Sequence, residues 1–509
     1  MNRAAVCNSG VSIGVGANPG IARARAMLAV VAISAGACVG PNFHRPSAPE
    51  VDRYTIDPLT PATVASAGPG GAAQRFLMQQ DVPRNWWTLF GSDDLNALVE
   101  EALRANPDVA SAQAALRQAL ENAAAQRGSY FPSVQGQFDA SRNRDAIGVL
   151  QPTLNSGSAL YNLFTPQLTV SYVPDVFGAN RRAVESLAAQ AEASRYQLEA
   201  TYLTLTANVV ATAILEAGLR TQISGTERVI ALERESLAIM RRELEIGAIA
   251  EADVYSQDAV LAQLEGTLPP LNKQLRQARD QLAVLTGHLP ADFKPTRLEL
   301  DQLILPAELP LGVPSQLVER RPDIRAAEAE LHAATAQVGV AIANMLPQIT
   351  ITGDIGSTAT LLADLFKPGT GFWSIGANAT QTLFAGGTLI HRKRAAEAAA
   401  DEAAAQYRST VLTAFQNVAD ALHALETDAD SLGAASRAEE AARKSLNVAR
   451  RQLDLGSVNY LALVNSEQTY QQATISLAQA RANRYADTAA LFQALGGSIT
   501  PVAAPPDKH

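Results

Sequence analysis

The sequence predicts a mostly α-helical fold that carries a small β part and is built by duplication, and three observations carry that prediction. The first is an internal repeat. Ala102 to Asp139 and Leu317 to Asp354 align without a gap, pairing Pro107 with Pro322, Asp108 with Asp323, Leu116 with Leu331, Pro132 with Pro347 and Asp139 with Asp354. Arg242 to Ile249 (RELEIGAI) likewise recurs as Arg451 to Val458 (RQLDLGSV). A unit of this length is far larger than a stacked solenoid repeat, whose period is about 20–50 residues. The second observation is a pair of proline-free stretches, Arg181 to Gly247 and His391 to Gly456. The third is four short segments in which apolar and polar residues alternate strictly.

Composition narrows the class. The chain has 509 residues, 18% of them charged, and a net charge of −9 without a run of like charges, which gives nucleic acid nothing to bind. At the N-terminus, Arg23 and Arg25 precede the apolar run Ala26 to Ala37, a length that suits a signal peptide and is too short to span a bilayer. Small residues then lead to Cys38. This order resembles a bacterial lipoprotein signal, so residues 1–37 are expected to be removed, with Met1 to Ala22 an upstream extension, and Cys38 to be acylated. Cys7 would leave with the signal, so no disulfide framework and no Cys-rich metal site is expected.

From Ser47 to Ala73 the chain is rich in Pro, Ala, Gly and Ser, a composition that reads as an extended tether, and residues 38–84 are assigned to it. The first repeat is placed at 85–315, the second at 316–497 and a tail at 498–509. Asn85 to Phe90 (NWWTLF) restores apolar character, and Ser92 with Asp93 and Asp94 suits a helix start. In the long stretch after Arg181, Val184, Leu187, Ala188, Ala191, Leu198, Tyr202 and Leu205 recur at helical spacing. At 1.5 Å per residue that helix is about 100 Å long. The counterpart after His391 is rich in alanine, which permits close helix packing. A plain dimeric coiled coil is disfavoured because the apolar stripe drifts from strict heptads.

The alternating segments are Ser133 to Ala140, Gln167 to Val173, Gln348 to Thr352 and Ser374 to Thr380. Alternation of this kind is the signature of an outer-membrane barrel strand, and Phe131, Tyr161, Phe164, Phe372 and Trp373 lie near strand ends, where interfacial aromatics belong. A soluble hairpin would alternate in the same way. Four strands cannot close a barrel, and an open sheet edge is not viable in lipid, so copies of the chain must share one. Two copies would give eight strands and a filled interior; three would give twelve and an aqueous lumen.

CVGPNFHRP after the signal, WWTLFGSDDLNALVEEALRANPDV, YVPDVFGANRRAV and LFQALGG together resemble the outer-membrane efflux lipoproteins, the TolC-like exit ducts of resistance-nodulation-division pumps. The likeness runs from Cys38 to about Gly497. It implies a homotrimer whose 12-stranded outer-membrane β-barrel continues into a long periplasmic α-barrel. It also implies three further neighbours: a periplasmic adaptor (membrane fusion) protein, an inner-membrane resistance-nodulation-division transporter and outer-membrane lipid. No cofactor is implied beyond the lipid on Cys38. The resemblance maps the aperture onto the helices that follow the turns at Gly247 and Gly456: Leu461 at the apolar constriction, Asp253 at one acidic position, and Asn465 where aspartate is usual. For Asp253 the alternative is charge complementarity at a helix N-terminus, and for Leu461 ordinary packing.

Enzyme chemistry finds no support. The six histidines are scattered, and HExxH, Gly-rich phosphate-loop and GxSxG patterns are absent. The competing assignments are the exit duct of a type I protein or peptide secretion system and a helical adaptor or scaffold lipoprotein; the latter should lack paired alternating strands.

Overall fold

The computed structural model describes residues 39–144, 160–294, 297–458 and 460–497; the side chains of residues 454, 460 and 461 fall outside the description. Among the described residues, eight α-helices and six strands follow in the order β1 (Arg75–Met78), α1 (Asp93–Ala105), α2 (Pro107–Arg127), β2 (Ser133–Arg144), β3 (Leu160–Tyr172), α3 (Ala179–Glu245), α4 (Glu251–Leu285), β4 (Glu308–Leu311), α5 (Pro314–Arg320), α6 (Pro322–Ala343), β5 (Gln348–Ser357), β6 (Gly371–Thr380), α7 (Thr388–Asp454) and α8 (Tyr460–Ala494). The described chain divides into two compact units, one holding residues 39–43, 123–144, 160–187 and 333–400 and the other residues 44–122, 188–294, 297–332, 401–458 and 460–497.

The first unit contains an antiparallel sheet in the order β2-β3-β5-β6. Its strands are longer than the alternating cores suggested, 12, 13, 10 and 10 residues. The three registers agree with one another. Val134 pairs with Val170, Val170 with Gly353 and Gly353 with Ile375; Gly136 pairs with Leu168, Leu168 with Ile355 and Ile355 with Trp373. Because side chains alternate across a sheet, one face therefore carries Val134, Phe138, Leu168, Val170, Ile355, Ile375 and Trp373. The other carries Ser133, Gln135, Gln137, Asp139, Thr169, Thr352, Asp354 and Ser374. On that polar face Thr169 and Ser374 donate to the Asp354 carboxylate at 2.7 and 3.0 Å. Among the described residues, β2 and β6 each leave one edge without a partner.

In the same unit the backbone just past Cys38 is held by a close approach. At Gly40, where φ is +102°, a Cβ would lie 2.5 Å from Gly339 Cα, so only glycine fits on either side. Buried Arg182 donates to Asn42 Oδ1 at 2.6 Å and so fixes the next turn of chain.

The second unit is helical, and the duplication is legible in its joints. The residue before each of the paired prolines Pro107 and Pro322 reaches back to the end of its repeat's last helix. Asn106 Nδ2 donates to Leu285 O at 2.9 Å, and Arg321 Nη1 donates to Ala494 O at 2.9 Å. Gly287 and Gly496, both left-handed, cap those helices so tightly that a Cβ would lie 2.4 Å from Ala105 O or 2.8 Å from Arg321 Cγ. The chain from Asp93 to Arg127 forms two helices, broken where Pro107 starts the second and Asn106 Oδ1 accepts from Asp108 N. Ser92 caps α1 as expected, accepting from Leu95 N at 3.2 Å.

Both long helices run 67 residues, about 100 Å. An 18-residue window of α3 is apolar enough to cross a bilayer, but 78% of it is buried inside the protein, which makes α3 a core helix. The main core gathers Trp86, Trp87, Phe90, Leu95 and Leu98 against Val209, Val210, Ile214, Leu422, Leu425 and Phe492.

The stretch read as a tether is extended but docked. Buried Arg484 donates to Thr63 Oγ1 at 3.0 Å and Ala72 O at 2.8 Å, Gln74 bonds Pro306 O and Thr488, and β1 pairs in parallel with β4. Composition missed this because the segment buries polar groups through specific hydrogen bonds and brings little apolar surface of its own.

Candidate functional site

The aperture expected from the sequence lies at the two helical turns, and these are built alike. At the first, Gly247 takes φ +75°, Gly247 N donates to Leu244 O at 2.9 Å and Ala248 N to Glu243 O at 2.8 Å. At the second, Gly456 takes φ +70°, with Gly456 N to Leu453 O at 2.8 Å and Ser457 N to Gln452 O at 2.9 Å. Each turn closes with the paired hydrogen bonds of a left-handed helix cap, which glycine adopts without a Cβ penalty.

Asp253 sits in the first turn of α4, exposed, and its carboxylate accepts from Ala250 N at 3.3 Å. Since alanine has no side-chain acceptor, this is one half of a capping box, and a carboxylate there also suits the helix dipole. Asn465 is exposed on α8, where its carbonyl accepts from Thr469 Oγ1 at 2.7 Å. The side chain of Leu461 and all of Cys38 lie outside the described residues. Within one chain, no described hydrogen bond or ion pair joins Asp253 to Asn465.

The structure adds a buried polar cluster that the sequence reading passed over. Glu233 on α3, fully buried, accepts from Gln257 Nε2 of α4 and faces Glu467 of α8, which is 3% exposed. Arg450 on α7 approaches Glu467 at 3.3 Å. Two carboxyls in one dry site cannot both ionise without a large cost. Burial, followed by the charge of Glu467 and the hydrogen bond between the two acids, pushes the Glu233 carboxyl up to about 8. Arg450 stands beside Glu467, and its charge opposes the rise at Glu233. The signal was present in the sequence: Glu233 interrupts the stripe Val229, Ile230, Leu237, Met240 that packs on Val254, Leu261 and Leu264. A groove of about 540 Å³ opens beside the cluster, lined by Leu232, Ile239, Leu453 and Leu463 with Glu467 and Arg450.

The profile of the outer membrane efflux protein family matches residues 98–288 and 313–497, one stretch for each repeat. The chain belongs to the outer membrane efflux protein family. The pyoverdine export outer membrane protein OpmQ of Pseudomonas putida is 30% identical over 86% of this chain and 93% of its own. The probable efflux pump outer membrane protein TtgC of the same species is 28% identical over 92% and 94%. The solved outer-membrane channel OprN superposes with a TM-score of 0.81 at 28% identity, covering 91% of this chain and 100% of its own. The fold is thus that of a TolC-like outer-membrane channel, mostly helical with a β domain, and the chain is an outer-membrane efflux component. Members of the family work in tripartite pumps with an adaptor and a transporter, as exit ducts.

Proposed function

We propose that three copies of this chain close a 12-stranded barrel in the outer membrane and conduct substrates passively from a periplasmic adaptor and an inner-membrane resistance-nodulation-division transporter to the exterior, with no catalytic step of its own. The observation that supports this reading best is the four-stranded sheet with one apolar face, one polar face and two free edges. In hydrocarbon those free N–H and C=O groups must be paired, and only neighbouring copies can supply the partners. Twelve strands leave a lumen, and the polar face of Gln135, Gln137, Thr169 and Asp354 would line it. Acylation of Cys38 would anchor the mature chain, and the clamp at Gly40 and Asn42 would hold the anchored end against the first unit. Asp253, Leu461 and Asn465 would ring the periplasmic aperture, with Leu461 as the apolar constriction. Reconstitution into planar bilayers, with the particle mass from light scattering in mild detergent, tests the reading. A trimer mass with single-channel conductance is expected; a monodisperse monomer without conductance refutes it. Palmitate labelling that is unchanged in Cys38→Ser would refute the anchor alone.

A further inference from the structure

Strand β2 outruns the apolar band of the sheet. Its pairing with β3 is unbroken over all 12 residues, so the alternation that turns Val134, Gly136, Phe138 and Ala140 to the apolar face also turns Arg142 and Arg144 to it. Arg142 pairs with Asn162, immediately past the apolar pair Ala140 and Phe164, and Arg144 pairs with Leu160. Both arginines are exposed. Of the acids near them among the described residues, Asp139 and Asp354 belong to the opposite face, and Asp364, between β5 and β6, is occupied by Lys367.

Height follows from geometry. A strand rises about 3.3 Å per residue and tilts by roughly 40° in such barrels, so Arg142 stands about 20 Å and Arg144 about 25 Å above Val134 along the membrane normal. The apolar band of an outer-membrane barrel is about 25 Å tall. The two guanidinium groups thus emerge at the far interface of the band. That interface is the outer one, because α2 leads into the beginning of β2 and its family's helices extend into the periplasm. An arginine directed toward hydrocarbon is costly unless it reaches headgroups, and the outer leaflet of this membrane presents phosphorylated glycolipid. Guanidinium groups bind phosphate bidentately, and Asn162 adds an amide donor beside them.

We propose that Arg142 and Arg144, with Asn162, form a lipid-facing site for the phosphate groups of the outer-leaflet glycolipid, one site per chain around the barrel. This rests on the reading of the apolar face as the lipid face. The site would fix the depth of the barrel on its outer side. It would also recruit an ordered collar of glycolipid around the pore.

The test titrates the full-length channel in detergent micelles with bisphosphorylated lipid A, reading apparent affinity by thermophoresis and bound lipid by native mass spectrometry. Arg142→Ala/Arg144→Ala should weaken binding ten-fold or more, whereas Arg142→Lys/Arg144→Lys, which keeps the charge, should stay within about three-fold. Lipid A stripped of its phosphates should bind the wild type and the alanine variant alike. Binding of bisphosphorylated lipid A within two-fold of wild type by the alanine variant overturns the proposal. So does a wild type that takes the stripped lipid as well as the phosphorylated one, an arm that needs no variant. Conductance of the same preparations separates this failure from failure of the channel itself.

Discussion

The buried pair Glu233 and Glu467 makes stability depend on pH in a direction that can be worked out in advance. Glu233 holds its proton up to about pH 8 when folded and releases it near 4.5 when unfolded. The folded chain therefore binds more protons than the unfolded one between these values, and stability falls as pH rises through that window. The stabilisation is fully present below about 4.5 and is gone above 8. One proton held only by the folded state changes stability by about 1.4 kcal/mol per pH unit, so up to about 3 kcal/mol per chain is lost from pH 6 to pH 8. The groups that face the pair are Gln257 from α4 and Arg450 from α7. Glu233→Gln imitates the protonated acid: its amide can donate to Glu467 while its oxygen accepts from Gln257. Guanidinium titrations read by helical circular dichroism at pH 6, 7 and 8 should show the wild type losing more stability than Glu233→Gln, with the variant flat between pH 7 and 8. Parallel curves for the two proteins would refute the reasoning.

Three other outcomes are expected. Asp428 is pushed up to about 7 by burial and by the hydrogen bond and charge of Asp487, with Arg484 opposing; Asp428→Asn should remove a slope lying between about pH 4 and 7, which overlaps the Glu233 window but ends about a unit lower, in the same titration. Gly247→Ala and Gly456→Ala should each cost about 1–2 kcal/mol from backbone conformation alone, since a Cβ at either position meets nothing within 4 Å, and asparagine should restore part of it in thermal unfolding. In the proposed trimer, three copies of Asp253 without a second acidic ring should give modest cation block, because converging charges in a narrow site concentrate cations. Asn465→Asp should strengthen block by a trivalent cation, Asp253→Ala should nearly abolish it, and Leu461→Ala should raise resting conductance, all read from single channels.

Much of the fold was legible because its determinants are local and repeated. The absence of proline over 67 residues marks α3, glycines at equivalent places mark both turns, and period-two alternation marks all four long strands. The docking of the N-terminal stretch was not legible, because Arg484 lies more than 400 residues from Thr63 and Gln74 and meets them only through the tertiary fold. The same is true of the Glu233, Gln257, Glu467 and Arg450 cluster, although an acid on an apolar stripe was its visible trace. Of the candidate site, the turns and the backbone positions of Asp253 and Asn465 were legible. Whether these residues face a shared pore depends on neighbouring copies, which no single chain encodes locally.

The central claim is that the free edge of β2 is completed by the free edge of β6 from another copy. Cysteine pairs across the polar face test it directly, placing one cysteine at Gln135, Gln137 or Asp139 and one at Ser374, Gly376 or Asn378, with Thr169 and Asp354 as the paired control within one chain. Oxidation in native membranes should give covalent dimers and trimers on denaturing gels for the pairs in register and none for single cysteines. Monomer bands alone across every β2 and β6 pair, with the internal control fully cross-linked, would contradict the account.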